Sequence, residues 1–308
     1  MKKEYRRGLK LMGNHFELTV VDDNEVKANA HIDAAIAEIQ RIERLLTTFN
    51  EDSQTNLINR HAGIRPVKVD REIYEIIERS LRISRLTDGY FDISYGSIDK
   101  GLWNFDRSML CLPDAETVER NLNLVNYNNI VLDDEAGTVF LTKQGMRIGF
   151  GGIGKGYAAE MGKRLLQQRG VDSGVVNASG DLTVWGNQAN GKPWTIGIAN
   201  PERAVLPFSY MNITDTAIAT SGNYEKFVMI DGKKYSHTIN PKTGMPISGI
   251  KSVTIICPNA EIADALATPV SIMGVQNGIE LINQIQQVEC IIIDDENHIY
   301  SSHKINFK

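Results

Sequence analysis

Residues 149–156 read Gly-Phe-Gly-Gly-Ile-Gly-Lys-Gly, five glycines and one lysine in eight positions. A strand-like run (Met146, Arg147, Ile148) leads into this loop and a helix-like run, 157–168, leads out. A strand-to-helix join this rich in glycine lets backbone N–H groups come close to a ligand, and the helix N-terminus behind them favours negative charge. The loop therefore predicts a phosphate-bearing guest, a nucleotide or phosphorylated cofactor. The competing reading of the same glycines is a turn that lets a helix pack tightly on a strand.

Two well-known loop motifs come close and neither holds. Gly149, Gly151 and Gly154 satisfy G-x-G-x-x-G, which should open a βαβ unit with an acid at the end of the next strand. Asp172 falls before the strand-like segment 174–178, and the chain does not go on to alternate strand and helix. Gly149, Gly154 and Lys155 satisfy most of a P-loop, but Gly156 stands where the Mg²⁺-binding hydroxyl should be.

The rest of the sequence predicts an α+β fold with mainly antiparallel sheet and packed helices, a two-lobed single unit over residues 1–308. Residues 16–21 read as a strand. Ile32, Ala35, Ile36, Ile39, Ile42 and Leu46 share one helical face, as do Ile73, Ile76, Ile77 and Ile83 within 71–86. Further helices are expected over 260–273 and 275–287. Three hairpins are expected: 130–132 with 138–141, 227–230 with 234–235 across Asp231-Gly232, and 291–293 with 299–301. The acidic runs at 133–135 and 294–296 fit solvated hairpin tips better than metal clusters.

A net charge of −5 argues against a general nucleic-acid binder. Cys111, Cys257 and Cys290 have no metal-type spacing. The basic start (Lys2, Lys3, Arg6, Arg7, Lys10) lacks the apolar stretch of a signal peptide, and no run is long enough to span a membrane, so the chain as given reads as soluble.

Two more groupings carry chemistry. Asp264 and Thr268, four apart in an otherwise apolar helix, would project a carboxylate and a hydroxyl from one face, and hard cations such as Mg²⁺ want oxygen ligands. The alternative is a surface acid and a threonine bonded back to its helix before Pro269. Thr220-Ser221-Gly222 and Tyr235-Ser236-His237-Thr238-Ile239-Asn240 flank the second hairpin, and His237 has the most loop-like polar setting of the six histidines. It suits a general base, or a histidine satisfied by backbone in a turn. Ser221 as a hydrolase nucleophile is disfavoured because G-x-S-x-G is absent.

Read in order, eight blocks resemble the FAD:protein FMN transferase (ApbE-type) family. They are Leu11-Met-Gly-Asn14; Phe49-Asn50 with Ser53, Leu57 and Asn59; Gly89-Tyr-Phe-Asp-Ile93 with Trp103 and Phe105; Gly151-Gly-Ile-Gly-Lys-Gly-Tyr-Ala158; Asn177-Ala-Ser-Gly-Asp181; Thr220-Ser-Gly222 with Tyr224; His237-Thr-Ile-Asn-Pro241 with Thr243-Gly244; and Ala263-Asp-Ala-Leu-Ala-Thr268. The resemblance spans about 11–274 and implies a single flavin transferase domain with a T-fold-like architecture. It implies a Mg²⁺-dependent enzyme that transfers the FMN half of FAD to a Thr or Ser hydroxyl of an acceptor flavoprotein and releases AMP.

By resemblance, Met12, Phe49, Tyr90, Phe91, Asp92, Lys155, Asp181, Thr220, Ser221, His237, Thr238 and Ile239 form the FAD site, with His237 the catalytic base. Gly152, Asp264, Ala267 and Thr268 would hold the metal. Asp92 and Asp181 stand as alternative proton acceptors. The family often has Asp at the position of Gly149, and Gly or Ala at those of Ser179 and Gly154, so one FAD-contacting carboxylate is lost here. Members are commonly exported and lipid-anchored in bacteria, facing the periplasm, whereas this chain shows neither signal nor lipobox cysteine; a mature or trimmed form and a cytoplasmic protein both fit. Two other functions share the same groups: an FAD pyrophosphatase giving FMN and AMP, and a non-catalytic FAD-binding protein. A P-loop kinase is a remote fourth.

Overall fold

A computed structural model of the chain describes residues 1–98, 112, 114–199, 207–222, 227–230, 233–303 and 305. In chain order the elements are β1 (Lys3–Leu11), β2 (Asn14–Asp22), α1 (Glu25–Leu46), α2 (Gln54–Arg60), β3 (Val67–Lys68), α3 (Arg71–Leu86), α4 (Ala115–Leu122), β4 (Ile130–Asp133) and β5 (Thr138–Leu141). They continue with α5 (Gly154–Gln168), β6 (Gly174–Ala178), β7 (Asp181–Trp185), β8 (Trp194–Ala199), β9 (Pro207–Ile213) and β10 (Thr216–Gly222). The last are β11 (Phe227–Ile230), β12 (Lys233–Ser236), β13 (Ile250–Cys257), α6 (Ala260–Asn283), β14 (Glu289–Asp294) and β15 (Ile299–Ser301).

The eight-stranded sheet runs β1-β2-β6-β7-β10-β13-β14-β15, and its pairings are antiparallel throughout. Strand alternation decides what each face meets. Phe16, Leu18, Val176 and Ala217 pack under α1 and α5, while Ala219, Val253 and Ile255 pack under α6. Val21, Leu182, Val184, Ile218 and Ile256 line the opposite face with Trp194 of β8 and Ile213 of β9.

The expected helical faces are present. Ile32, Ala35, Ile39, Ile42 and Leu46 of α1 are buried, with Ile36 half-buried against the same core, and Asn24 caps the helix by accepting the Lys27 N–H at 3.0 Å. Each fully buried isoleucine contributes about 1.5–3 kcal/mol. Helix α3 has the expected bounds and buries Ile73, Ile76 and Ile77, with Ile83 half-buried. The two helices expected after residue 260 form one run interrupted at Gly274 (φ 80°, ψ −177°). The second ends at Asn283 rather than 287, where Gln287 (φ 60°) turns the chain into β14.

The three expected hairpins form as β4–β5, β11–β12 and β14–β15; the Asp231-Gly232 turn lies outside the described residues, as do Cys111, Trp103, Phe105 and Tyr224. In the last hairpin Asp294 accepts backbone N–H bonds from Glu296 (3.0 Å) and His298 (2.8 Å), as a hairpin tip should. The basic start forms β1, an edge strand of the main sheet. No described helix is long and apolar enough to cross a membrane.

One expectation fails. The run 146–148 before the glycine loop forms no strand. Side chains replace the ladder. Buried Asn59 accepts the Ile148 N–H (2.7 Å) and donates to the Ile148 carbonyl (3.1 Å), and Ser97 does the same for Arg147 (2.9 and 3.0 Å). Side-chain bonds satisfy the backbone as fully as a ladder would, and propensity alone does not tell the two apart.

Candidate active site

Two tight turns meet at one end of the main sheet. Met12-Gly13 joins β1 to β2 and Ser179-Gly180 joins β6 to β7, and Phe16 pairs with Ala178 so that the turns lie side by side. All four turn residues have positive φ (50°, 74°, 57° and 102°), the mirror-image geometry that suits two-residue hairpins. Met12 and Ser179 hold it without being glycine, a small store of backbone strain that is common beside functional sites.

The glycine loop delivers the N-terminus of α5 to this end. Its flanking residue Ile153 makes no side-chain cap. The Gly154 and Ile153 N–H groups turn back onto the Phe150 carbonyl (2.7 and 3.2 Å). Among the described residues the N–H groups of Gly151 and Gly152 have no acceptor. Two open donors at a helix start make a receptor for anionic oxygen.

Asp264 of α6 serves the next donors of α5. Its Oδ2 accepts the Gly156 N–H at 2.8 Å, and the Lys155 N–H also bonds to it. The helices touch where this happens: a Cβ on Gly156 would lie 2.2 Å from the Ala260 carbonyl oxygen. Gly156, where a P-loop would need a hydroxyl, is glycine so that α6 can bring a carboxylate to the helix end.

Asp264 is only 6% exposed, and burial together with the nearby Asp181 pushes its carboxyl up to about 7, against the opposing pull of Lys155 and the two N–H bonds. Asp181 opens β7 and is 2% exposed. It pairs with Lys155 through Oδ2 and accepts the Thr220 N–H through Oδ1 (3.2 Å); burial raises its carboxyl while Lys155 lowers it. One ammonium thus lies among two buried carboxylates, a charge balance that favours a further cation.

Of the other expected residues, Met12 and Phe91 reach the glycine loop, and the rest lie at varying depth. Met12 is half-buried with its methyl 3.6 Å from where a Gly154 Cβ would stand, and the Phe91 ring lies 3.7 Å from that of Gly152. Phe49 is 91% exposed, yet its loop is fixed: Asn56 donates to the Thr48 (3.0 Å) and Asn50 (2.8 Å) carbonyls, and Ser53 to that of Thr47 (2.6 Å). Thr48 borders Gly149.

Asp92 is taken up locally. It accepts from the Ser94 N–H and hydroxyl (2.8 and 2.6 Å) and the Tyr127 N–H (2.8 Å), bonds that oppose the rise burial gives its carboxyl. Thr220 turns its hydroxyl to the far face of the sheet, 3.0 Å from that of Thr254, and offers this end its backbone. Ser221 shares the helix-side face with Ala217 and Ala219, by strand alternation. Thr238 and Ile239 are buried, Ile239 against Ile98 and Val118, whereas His237 is exposed at the end of β12. Ala267 is buried and Thr268 half-buried, one turn beyond Asp264. Pro269 withholds the N–H that would close a turn on Ala265, which loosens the helix here.

Sequence reasoning missed two residues that organise the site. Lys242 sits 4.2 Å over the Tyr90 ring and 2.6 Å from Asp88, tying the turn after His237 to the Tyr90 segment. Asn59 stands in the sequence only as one letter of the second block, because its role is to bond Ile148, 89 positions away. The signal for Lys242 was its place in the polar turn after His237.

The ApbE family model matches residues 12–292. An FAD:protein FMN transferase of Klebsiella pneumoniae is 31% identical over 281 residues, 89% of this chain and 80% of its own length. Another, from Treponema pallidum, is 29% identical and spans 97% of this chain and 87% of its own. Among solved structures, the ApbE protein of Thermotoga maritima superposes with a TM-score of 0.88 at 29% identity, covering 98% of this chain and 97% of that one. The flavin transferase ApbE of Vibrio cholerae, at 23% identity and TM-score 0.86 with 98% of both chains covered, shares the fold.

Proposed function

The chain belongs to the ApbE family and is an enzyme, an FAD:protein FMN transferase; we propose that its reaction is Mg²⁺-dependent and joins the FMN phosphate to a Thr or Ser hydroxyl of an acceptor flavoprotein, releasing AMP. The observation that carries this reading is the meeting of Asp264, Lys155 and the open N–H groups of Gly151 and Gly152 at the start of α5. A pyrophosphate presents oxygens to donors of this kind, and a carboxylate with oxygen neighbours suits a hard cation.

The donor set fits Mg²⁺. Asp264 offers a buried carboxylate that its surroundings leave poorly balanced and Thr268 a hydroxyl on the same helical face, and the backbone carbonyls of Gly152 and Ala267 would complete the set. Bound there, the ion would neutralise charge developing on the pyrophosphate oxygens.

The protein's own groups supply the rest. Lys155 and the Gly151 and Gly152 N–H groups hold the phosphates, Phe91 and Met12 wall the cradle, and Phe49 and Tyr90 offer aromatic faces to the flavin nucleotide. Thr220 and Ser221 lie at the strand ends above buried Asp181, and Thr238 and Ile239 seat the turn that presents His237. His237 accepts the acceptor hydroxyl's proton as its oxygen bonds to the FMN phosphorus and the bond from that phosphorus to the bridging oxygen breaks. AMP leaves with the bridging oxygen.

The test is incubation with FAD, Mg²⁺ and an acceptor domain, followed by a denaturing gel under ultraviolet light. A fluorescent acceptor band and an equal yield of AMP are expected. Free FMN with a dark acceptor would instead identify a pyrophosphatase, and FAD binding without AMP a storage protein.

A further inference from the structure

We propose that Asp181 is a positioning residue: it acts on the flavin substrate through Lys155, whose ammonium it holds beside the glycine loop. The inference rests on the FAD reading above. At 2% exposure Asp181 has no surface to offer a ligand, and both its oxygens are engaged, one by Lys155 and the other by the Thr220 N–H. Its backbone is equally fixed. It is the first residue of β7, pairs with Ala178 across the Ser179-Gly180 turn, and lies against β10.

Lys155 is different in kind. Its side chain is 28% exposed and has four rotatable bonds, so an unanchored ammonium would sample many positions or collapse onto Asp264, which also feels its charge. Pairing with a carboxylate locked in the sheet selects one position in advance. That position is against the first residue of β7, at the end of the sheet to which the glycine loop brings the start of α5. A cation placed before the substrate arrives loses little freedom on binding it.

Alternation supports the assignment. Asp181 shares the helix-facing side of β7 with Thr183 and Trp185, in a row that is otherwise fully packed. A carboxylate there is costly unless a partner compensates it, and Lys155 is the cation that does so.

The experiment measures FAD affinity by quenching of flavin fluorescence, in EDTA and again with Mg²⁺, for wild type, Asp181→Asn, Lys155→Met and the double variant. The amide keeps the size of Asp181 and an acceptor for Thr220 while removing the charge that holds Lys155. Each single change is expected to weaken FAD binding about 10- to 100-fold. The double variant should be no weaker than Lys155→Met, since Asp181 acts only through that side chain. In turnover, Asp181→Asn should raise the KM for FAD and leave the KM for the acceptor unchanged. Losses that multiply in the double variant, or wild-type affinity in Asp181→Asn, would overturn the proposal. If Asp181→Asn does not fold, Lys155→Met decides, because unchanged FAD affinity there removes the route by which Asp181 could act. A wild-type protein that binds no FAD in either condition is a separate result, which overturns the flavin reading and the positioning role with it.

Discussion

Replacing Gly156 by alanine tests the helix contact on which the site is built. The added Cβ would stand 2.2 Å from the Ala260 carbonyl oxygen, 2.6 Å from the Asp264 Cβ and 2.8 Å from the Ala260 carbonyl carbon. Two of these are backbone atoms and cannot swing aside, so α6 must retreat by about 1 Å before ordinary contact returns. A retreat of that size breaks the 2.8 Å bond from the Gly156 N–H to Asp264. Overpacking costs about 1–3 kcal/mol, and the lost bond to a carboxylate about 1.5–3 kcal/mol more. The thermal midpoint should fall by roughly 10 °C, with turnover lost even well below the transition. Gly151→Ala is the matched control. No atom lies within 4 Å of its added Cβ and its φ is not positive, so the fold should be unchanged. Its methyl would stand where a phosphate must approach, so FAD affinity should drop. The assays are scanning calorimetry and flavin fluorescence titration. A Gly156→Ala enzyme with wild-type midpoint and turnover would refute the packing argument, and a Gly151→Ala enzyme with wild-type FAD affinity would refute the cradle.

Two further outcomes are expected. Because burial and Asp181 lift the Asp264 carboxyl from 3.8 to about 7, the metal-free fold favours the protonated acid. That contribution is full below about pH 4 and is lost as pH rises through about 7. Metal-free melting temperatures should therefore decline across this window, Mg²⁺ should restore the high-pH value, and Asp264→Asn should flatten the profile and abolish turnover; a metal-free midpoint indifferent to pH would sink the assignment. His237→Ala should keep FAD binding and slow transfer by about 10²–10⁴, visible in single-turnover measurements, and an unchanged rate would pass the proton to another acceptor.

What the sequence determined by itself was whatever depends on neighbours in the chain. Periodicity placed α1 and α3 because a helical face is written in spacings of three and four, and the hairpins were legible from turn residues between alternating runs. The glycine loop announced itself, and Asp264 with Thr268 shared a face by spacing alone. Tertiary structure decided what those residues meet. The run 146–148 reads as a strand from its residues alone, but the Ile148 backbone is bonded by Asn59, 89 positions away. Nothing local shows that Gly156 must clear the Ala260 carbonyl, that Asp181 lies beneath Lys155, or that Lys242 rests on Tyr90. Each of these contacts joins segments far apart in the chain, so its energy appears only when the sheet and helices have closed around the site. Local propensity has no term for a partner that is not yet there.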